Sequence, residues 1–462
     1  MRSGVFFLMC FAGLLAMTSH AQQPSATMYH MAGIPQRSFL NPAFQPEPGG
    51  FTAMAGLGMI SLQVGNSGFS YHDIVISTDT GKTISFDNIL NSMPAVNRLY
   101  TEFSYQPVAF GFRFQKKGYF TFDMGPRALV QFFYPRDLFG LAIKGNGHED
   151  YLGKRISFDN MGVEVSLTND ISVGYSHQIF EGFTIGARGR FIQGLVNLHT
   201  EKFIFGLTTD EESFHLTADA DVKVSASVPE FLLDTAALQN NSTSWFIEQT
   251  REYLKKNQGW GLDIGASYKV MDRLLISASV NDIGYIRWWG DPINVSSKGE
   301  FTFSGFDLTG IIQGDDFDAQ AEKLLDSIQT IFTPDTTYLP YTQRLVPSLN
   351  IGAGFYLTKD DVVGAHLRNQ FYNGVWFPQI TFSYNHRFGR LLSLSGSYGL
   401  ERGTYTNLGV GMALKIGSFQ YYLITDNLMS FAFPLSARGV NVVMGMNLLF
   451  RHKPEKKSTP SI

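Results

Sequence analysis

Residues 345–450 contain four runs in which apolar and polar residues alternate strictly. The apolar positions are Leu349, Ile351, Ala353 and Phe355 in the first run, Ile380, Phe382 and Tyr384 in the second, Leu408, Val410 and Met412 in the third, and Val442, Met444 and Met446 in the fourth. A period of two indicates strands with one apolar and one polar face. Strands of soluble proteins usually have about 5–6 residues, whereas a strand that crosses a membrane needs roughly 9–11. The four runs are long enough to cross a membrane, so they predict membrane-spanning strands.

Residues 1–21 have the features of a secretory signal peptide. Arg2 precedes an apolar stretch at 5–17, and Ser19-His20-Ala21 is a typical cleavage sequence. The chain's single cysteine, Cys10, lies in this segment, so the mature chain is expected to have no disulfide and no thiolate metal site. An exported chain with long alternating strands and no other stretch of 18 apolar residues indicates the bacterial outer membrane.

Composition agrees with a barrel and excludes one class of partner. The chain has 40 Phe, 20 Tyr and 46 Gly, and only 16% of its residues are charged. These values are typical of strands with an aromatic outer face and a closely spaced inner face. The net charge of -4 provides no basic footprint for nucleic acid.

The connections between strands alternate in length. Six are tight, at 116–118, 181–182, 271–273, 359–361, 389–390 and 417–418. Between them lie seven longer ones, at 65–99, 134–157, 207–258, 289–344, 371–375, 401–404 and 431–437. Since outer-membrane barrels have even strand numbers, short periplasmic turns and longer external loops, we predict an all-β, antiparallel, up-and-down transmembrane barrel of 14 strands. This count treats 211–228 and 293–305 as a β-ribbon above the membrane; if they span it, the barrel has 16 strands.

The two longest external loops are expected to be partly helical. In 289–344, apolar residues from Ala321 to Phe332 recur at helical spacing, and in 207–258 apolar clusters at 231–233 and 245–247 predict shorter helices. These loops are also the expected docking surface for any protein partner. Trp288 and Trp289, at the end of a predicted strand, are expected at the membrane interface.

The strands of the barrel are expected between two different terminal segments. Residues 22–50 contain five prolines and no strand pattern, which predicts an irregular plug before a barrel at 51–450. The last strand carries Val443, Gly445, Leu448 and Phe450, a pattern similar to the insertion signal that the barrel-assembly machinery reads. Residues 451–462 would form a periplasmic tail after that signal.

No motif in the chain predicts catalysis. The acidic residues at 315–318 are interpreted as a helix start, while His72-Asp73 and His148-Glu149-Asp150 are isolated from other metal ligands. We therefore expect no enzyme activity, no metal and no cofactor. Arg113, Arg188, Arg190 and Arg387 have the polar parity of their strands and are candidates for binding an anionic ligand in the lumen, or for pairing with lumen carboxylates or the plug.

Three motifs carry a resemblance to a known fold family. These are Ser38-Phe39-Leu40-Asn41-Pro42-Ala43-Phe44, the stretch 281–288, and Thr425-Asp426-Asn427. The chain resembles a large family of outer-membrane barrels of Bacteroidota with the fold of long-chain fatty-acid transport porins, a fold that secretion-system and assembly-machine barrels also use. The resemblance implies that Asn41, Pro42, Ala43 and Phe44 lie in a plug against the lumen wall.

Two functions are compatible with these observations. The first is passage of a hydrophobic or amphipathic small molecule through the plugged lumen, as the resemblance implies. The second is a closed barrel that serves as a structural subunit of an outer-membrane secretion or assembly complex and docks through 207–258 and 289–344. The Ser, Asn and Gly residues on the inner parity argue against an apolar channel, whereas the resemblance to transport porins places transport slightly ahead, so the two functions have nearly equal support.

Overall fold

A computed structural model describes residues 25–47, 49–54, 56–78, 81–271, 273–304, 322, 326–327, 329–372, 375–401 and 404–450. The expected signal peptide at 1–21, the acidic stretch at 315–318 and the tail at 451–462 lie outside these ranges.

The described chain is mostly β-strand. The first strands are β1 (Gly50–Ala53), β2 (Met59–Asn66), β3 (Val75–Thr78), β4 (Gly81–Ile84), β5 (Val96–Gln106), β6 (Val108–Phe114), β7 (Gly118–Pro135), β8 (Arg155–Ser157), β9 (Gly162–Phe180), β10 (Phe183–Thr209), β11 (Leu216–Ser227) and β12 (Asn257–Val270). The others are β13 (Leu274–Trp288), β14 (Pro292–Phe303), β15 (Asp335–Thr337), β16 (Tyr341–Arg344), β17 (Ser348–Tyr356), β18 (Asp361–Tyr372), β19 (Val375–Phe388), β20 (Leu392–Glu401), β21 (Thr404–Ile416), β22 (Phe419–Thr425) and β23 (Gly439–Phe450).

The wall is a closed antiparallel barrel. Each wall strand pairs with the next along the chain, and β23 pairs with β22 on one side and with β1 and β2 on the other. Because β1 with β2, β5 with β6, and β16 with β17 each make up one wall strand, the described ranges contain 14 wall strands. The prediction of 14 strands is confirmed, since β11 pairs with the distal part of β10 and β14 pairs with β11, and neither enters the wall. Together with β8 and β15 they form the predicted ribbon.

The first wall strand is interrupted. Ala53 faces Asn447 of β23, and the next pair on the same side is Ile60 with Met444. The described residues between these pairs, 54 and 56–59, lie opposite only 445–446, so the first wall strand bulges out of register there. The second wall strand is interrupted at Pro107, because β5 ends at Gln106 and β6 begins at Val108.

A second bulge changes which side chains face the lumen. Leu262 pairs with Ile283 and Ile264 with Val280, so β13 has one extra residue there. Asp282 lies in this bulge with a positive φ of 63°. An extra residue exchanges the two faces of the following strand. The expectation that Trp288 lies at the membrane interface is therefore wrong: its side chain is fully buried inside the barrel and donates to Gln343, while Trp289 is exposed.

Short helices occupy the connections and the N-terminal segment. The 3-10 helices are Ala26–His30, Pro35–Phe39 and Pro434–Ser436, and the α-helices are Tyr71–Ile74, Phe86–Ser92, Arg136–Lys144, Glu230–Leu233, Thr235–Asn240, Thr243–Tyr253 and Met429–Ala432. The helices predicted around 231–233 and 245–247 are confirmed. Those in 65–99 and 134–157 were missed because they are short and their capping residues lie in polar stretches without apolar periodicity. Among the described residues, no helix is both long and apolar enough to span a membrane.

The two faces of the wall differ as the alternation predicts. Ile351, Phe355 and Phe382 are exposed on the outside, whereas Asn350 and Ser383 are buried inside. Exposed aromatic residues gather at both ends of the outer face, as in the girdles of transmembrane barrels. They are Trp260, Trp289 and Trp376 at the long-loop end, and Phe114, Phe180, Phe388, Phe419 and Phe450 at the tight-turn end.

Candidate functional site

Residues 25–47 lie inside the barrel, and we call this segment the plug. Its two 3-10 helices, Ala26–His30 and Pro35–Phe39, consist entirely of buried residues. Pro35 at the start of the second helix has no N–H to satisfy and is preorganised for a helical turn. A short tight helix suits the narrow space that a wall of 14 strands encloses.

Wall glycines make room for the plug. A Cβ atom on Gly352 would lie 2.2 Å from the Tyr29 ring, and one on Gly364 would lie 2.2 Å from the His30 ring. Both distances are too short for any larger residue, so glycine is required where a strand accepts a bulky neighbour. The glycines on the inner parity therefore form the seat of the plug.

Asn41 attaches the middle of the plug to the wall. Its side-chain nitrogen donates to the carbonyl oxygens of Ala266 (3.3 Å) and Ala278 (3.2 Å), on β12 and β13. Its side-chain oxygen accepts from the backbone N–H of Ala43 at 2.9 Å, which holds the Asn-Pro-Ala turn. Asn41 is fully buried, so each of these bonds replaces one that water would otherwise make.

Amide and hydroxyl side chains of the wall bind plug carbonyl groups. Ser279 and Asn281 donate to the Leu40 oxygen, at 2.8 and 2.9 Å, and Gln420 donates to the Gly33 oxygen at 2.8 Å. The polar inner parity that argued against an apolar channel thus has a second role, since much of it holds the plug.

Asp426 holds the amino-terminal end of the plug. Its carboxylate accepts from the backbone N–H groups of Ala26 (3.0 Å) and Thr27 (2.9 Å) and from the hydroxyls of Ser25 and Thr27. A carboxylate at the start of a helix is favoured by the unpaired N–H groups there. Asn441 of β23 donates to the same carboxylate at 2.7 Å and orients it.

Asp426 is available because β22 is short. The strand ends at Thr425, and the following residues fill the space between β21 and β23. Asn427 donates to Asn407 of β21 and to the Gly439 oxygen of β23, both at 3.0 Å. The Thr425-Asp426-Asn427 motif therefore closes the wall and attaches the plug at one place.

The plug also packs against the wall through apolar side chains. One hydrophobic cluster joins plug residues to inner wall residues of β1, β2, β6, β7 and β21–β23. Its plug members are Met28, Tyr29, Met31, Ile34, Phe39, Leu40 and Phe44. Its wall members include Ala53 and Met59, the buried residues on either side of the interruption in the first wall strand.

The four candidate arginines all have protein partners. Arg113 donates to the Gln45 side chain (2.8 Å) and the Pro46 oxygen (3.0 Å), and Arg387 pairs with Glu47 at 2.7 Å. These two arginines therefore bind the end of the plug at the tight-turn end of the barrel. Arg188 and Arg190 lie in the wall.

Arg188 and Arg190 belong to a buried charged cluster of three arginines and four aspartates on β7, β9, β10, β12 and β13, as counted in the described ranges. Its ion pairs are Arg188–Asp123 (2.6 Å), Arg188–Asp263 (3.2 Å), Arg190–Asp170 (3.3 Å), Arg190–Asp263 (3.4 Å), Arg190–Asp282 (2.5 Å), Arg127–Asp170 (2.8 Å) and Arg127–Asp282 (3.6 Å). The Arg188 guanidinium lies 4.7 Å from the centre of the Phe39 ring, so the cluster also contacts the plug. The positive φ of Asp282 turns its carboxylate into this cluster.

The residues of the predicted insertion signal lie in the last wall strand. Val443, Gly445, Leu448 and Phe450 belong to β23, where Val443 is buried inside and Phe450 is exposed on the outer face. Within the described part of the chain, no group of three or more His, Cys, Asp or Glu side chains could hold a metal ion.

Replacing Asn41 with alanine is expected to weaken plug docking by roughly 2 kcal/mol, because two wall carbonyl contacts and the Ala43 N–H contact are lost. Hydrogen exchange of the plug amides measures the effect. Asn41→Asp is the matched control: it keeps the Ala43 contact but has no N–H to donate, so we expect most of the loss to remain. Unchanged exchange in both variants would contradict an anchoring role.

Acidification is expected to loosen the plug through His30. Burial lowers the pKa of His30 to about 4, and Arg37 adds to this effect. In an undocked plug the pKa returns to about 6.5, so between these values the undocked plug binds a proton and the docked plug does not. Docking is therefore strongest above pH 6.5 and weakens as the pH falls toward 4, by up to roughly 3 kcal/mol. Protease cleavage of the plug between pH 7 and 4.5 tests this, and His30→Gln should remove most of the pH dependence.

Sequence reasoning identified some of these residues and missed others. The Asn-Pro-Ala element and the inward parity of the arginines were visible in the sequence. The role of Asp426 was not, although Thr425-Asp426-Asn427 was noticed as a motif. A single motif does not show that its partner is Ser25–Thr27, about 400 residues away in the chain.

Comparison with known proteins identifies the family. Solved structures with similar folds include the toluene transporter TodX of Pseudomonas putida, which is 11% identical, with coverage of 95% of this chain and 98% of that chain and a TM-score of 0.40. The toluene transporter TbuX of Ralstonia pickettii is 10% identical, with 90% and 94% coverage and a TM-score of 0.41. A FadL homologue of Pseudomonas aeruginosa is 8% identical, with 94% and 99% coverage and a TM-score of 0.43. Because these TM-scores are all below 0.5, the similarities do not establish a function for this chain. Its fold is established by the strand pairing described above.

No curated protein matches the sequence. A family model described as "Family of unknown function (DUF5723)" matches residues 42–426, which is most of the chain and includes Asp426. The chain therefore belongs to this family of unknown function, DUF5723.

Proposed function

We propose that this chain is an outer-membrane barrel that conveys a hydrophobic or amphipathic small molecule, and that movement of the plug opens the route. The observation that carries the proposal is the apolar contact between the plug and the wall beside the interrupted first strand.

The apolar cluster would provide the surface for such a molecule. Ala53 and Met59 face the plug on the two sides of the interruption, and Val443 of β23 lies beside them. Leu57, within the interruption, is exposed on the outside. If the plug moves away, an apolar ligand gains an apolar lumen surface that reaches the place where the wall pairing is irregular. Burial of its chain on that surface would stabilise it by about 25 cal/mol per Å².

The plug is suited to reversible docking. Hydrogen bonds at Asn41 and Asp426 hold it, and a typical bond of this kind contributes about 1 kcal/mol net. No covalent chemistry is required, so the proposal needs no catalytic residue and no cofactor.

The test is uptake of a fluorescent fatty-acid probe into proteoliposomes, with one aspartate introduced at either of two matched positions. Ala53→Asp places a charge beside the interruption, while Ala413→Asp places it in the same cluster on β21. Both alanines are buried, so both changes disturb plug packing. We expect Ala53→Asp to reduce uptake several-fold relative to Ala413→Asp. Gel mobility should show that both variants form folded barrels. Equal uptake in the two variants would contradict a route past the interruption.

A specific observation favours a second function, that of a docking subunit. Several large apolar side chains are exposed on the long-loop segments. They are Phe214, Leu233, Ile247, Tyr338 and Leu339. A docking subunit would use these side chains as contacts for its protein partner. Purification from the native membrane distinguishes the two functions: a stoichiometric protein partner supports a subunit, and a bound lipid-like ligand without a partner supports transport.

A further inference from the structure

A cavity at the long-loop end of the barrel lies next to the start of the plug, and we call it the outer cavity. Its volume is ≈ 50 Å³, several times the roughly 10–15 Å³ that one water molecule requires. Its lining comes from the wall strands β2, β5, β19, β20, β21 and β23 and from residues that follow β22. One of the latter is Asp426, which holds the plug.

The outer cavity lies above the level at which the plug fills the lumen. Gln63, Gln379 and Glu401 line it with the inward parity of their strands, and all three remain partly exposed. The next inward residue of each strand toward the plug is buried. The cavity therefore marks the end of the filled lumen on the side of the long loops.

Four charged residues line the outer cavity, and two of them already have partners. Arg438 pairs with Asp73 at 2.7 Å, and Asp426 accepts from N–H groups of the plug. The other two, Arg98 and Glu401, form no ion pair with any described residue. The cavity thus presents one cation and one anion that are free to bind a ligand.

The Arg98 side chain is held in a fixed position. Its guanidinium lies 4.0 Å from the centre of the Tyr100 ring and 5.0 Å from the centre of the Phe377 ring. It also donates to the Gln370 side chain at 3.4 Å, on the opposite side of the 14-strand wall. A guanidinium has five N–H donors and no acceptor, so most of the Arg98 donors need an acceptor from outside the described chain.

Glu401 has the opposite requirement. It lies at the end of β20, where strand register places Gln379 of β19 beside it. Within the described part of the chain, no group donates a hydrogen bond to its carboxylate. A carboxylate only accepts hydrogen bonds, so Glu401 needs a donor, and a cationic donor gives the stronger bond.

The polar lining of the outer cavity gives way to apolar residues toward the plug. On β23 the inward residue after Asn441 is Val443, and Ile424 of β22 is the inward residue before Asp426. Val443 and Ile424 belong to the apolar cluster around the plug. Two residues of a strand span about 6–7 Å, so a polar group in the cavity lies within a few bonds of the apolar surface.

We propose that the outer cavity binds the zwitterionic head group of an amphipathic molecule, with its anionic group on Arg98 and its ammonium group on Glu401. The inference rests on the proposed function, because it names the class of molecule that the barrel conveys. The rings of Tyr100 and Phe377 supply apolar surface for the first carbon atoms of the chain. A head group with a single charge leaves one of the two side chains without a counter-ion and binds more weakly.

Isothermal titration calorimetry of the full barrel in nanodiscs tests the assignment with four small ligands. 2-Aminooctanoic acid carries both charges, octanoic acid carries only the negative charge, and octylamine carries only the positive charge. Alanine has the same zwitterionic head group without the chain. Titration into empty nanodiscs corrects for partition of the ligands into lipid.

We expect the wild-type protein to bind 2-aminooctanoic acid about tenfold more tightly than each of the other three ligands. Arg98→Met should abolish the preference over octylamine, and Glu401→Gln should abolish the preference over octanoic acid, because each change removes one counter-ion. Each preference is a ratio within one variant, so a general loss of stability does not imitate the effect. Arg155→Met, which removes an arginine of the ribbon, should keep both preferences.

Three results would overturn the proposal. Equal affinity of the wild-type protein for the three octyl ligands would mean that the cavity does not recognise a charged head group. Unchanged preferences in Arg98→Met and Glu401→Gln would place the head group elsewhere. If alanine binds as tightly as 2-aminooctanoic acid, the ligand is a free amino acid and not an amphipathic molecule. None of these results alters the comparison of Ala53→Asp with Ala413→Asp, which tests the apolar route alone.

Discussion

Replacing Arg190 with methionine is expected to destabilise the barrel by about 3–5 kcal/mol, the usual cost of removing one partner from a buried ion pair. Arg190 lies within 3.4 Å of Asp170, Asp263 and Asp282, and its side chain is almost completely buried. Methionine keeps much of the volume but leaves the carboxylates with too few positive partners. Urea unfolding of the lipid-embedded protein, followed by the shift in gel mobility, measures the loss.

Arg155→Met is the control for this experiment. Arg155 makes equally short pairs with Asp159 (2.9 Å) and Asp219 (2.7 Å), but all three side chains are about one-third exposed. Water screens such pairs, so a loss of less than about 1 kcal/mol is expected. If the two variants lose equal stability, the buried cluster is not what joins strands β7–β13.

Asp426→Ala is expected to release the amino-terminal end of the plug. The change leaves the Ala26 and Thr27 amides and two hydroxyls without their acceptor. Because several hydrogen-bond donors lose their acceptor, the free energy of plug docking should weaken by roughly 3 kcal/mol, or about a hundredfold in the docking equilibrium. Hydrogen exchange at Ala26 and Thr27 should speed up accordingly, and uptake of the fatty-acid probe should rise.

Asp426→Asn should give an intermediate result, because the amide keeps one acceptor oxygen. If the loss of hydrogen-exchange protection is confined to Ala26–His30, Asp426 holds only the amino-terminal end of the plug. If hydrogen exchange becomes equally fast in the wall strands β21–β23, Asp426 stabilises the wall. That result would contradict its proposed role in holding the plug.

The number of wall strands, and which side chains of each strand face inward or outward, could be predicted from the local sequence pattern. Alternation such as that of Ile351, Phe355 and Phe382 appears in the sequence because each wall strand meets lipid on one face along its whole length. Turn lengths then decided the count of 14, and the ribbon of β11 and β14 was anticipated from its place in a long connection. A helix such as Arg136–Lys144 was missed because a nine-residue helix in a polar loop leaves little periodic signal.

Trp288 shows where local pattern fails. One extra residue in β13, at Asp282, exchanges the inner and outer faces for the rest of that strand. The alternation gives one signal, since without a bulge Asp282 would share the outer parity of Ile276, Ala278 and Val280. The cause of the bulge is the pairing with β12 and the charges that Asp282 meets in the lumen. The same limit applies to the arginines: their inward parity was evident, but not their partners.

The sequence by itself determined that this chain forms a transmembrane barrel with a separate N-terminal segment, because periodicity and chain length are local properties. The tertiary structure alone decided how that segment is held, through the contact of Asp426 with Thr27, of Ala278 with Asn41 and of Gly364 with His30. It also decided that the plug meets the wall through an apolar cluster as well as through polar anchors such as Asp426 and Gln420. Such contacts join residues hundreds of positions apart, and only closure of the barrel brings them together.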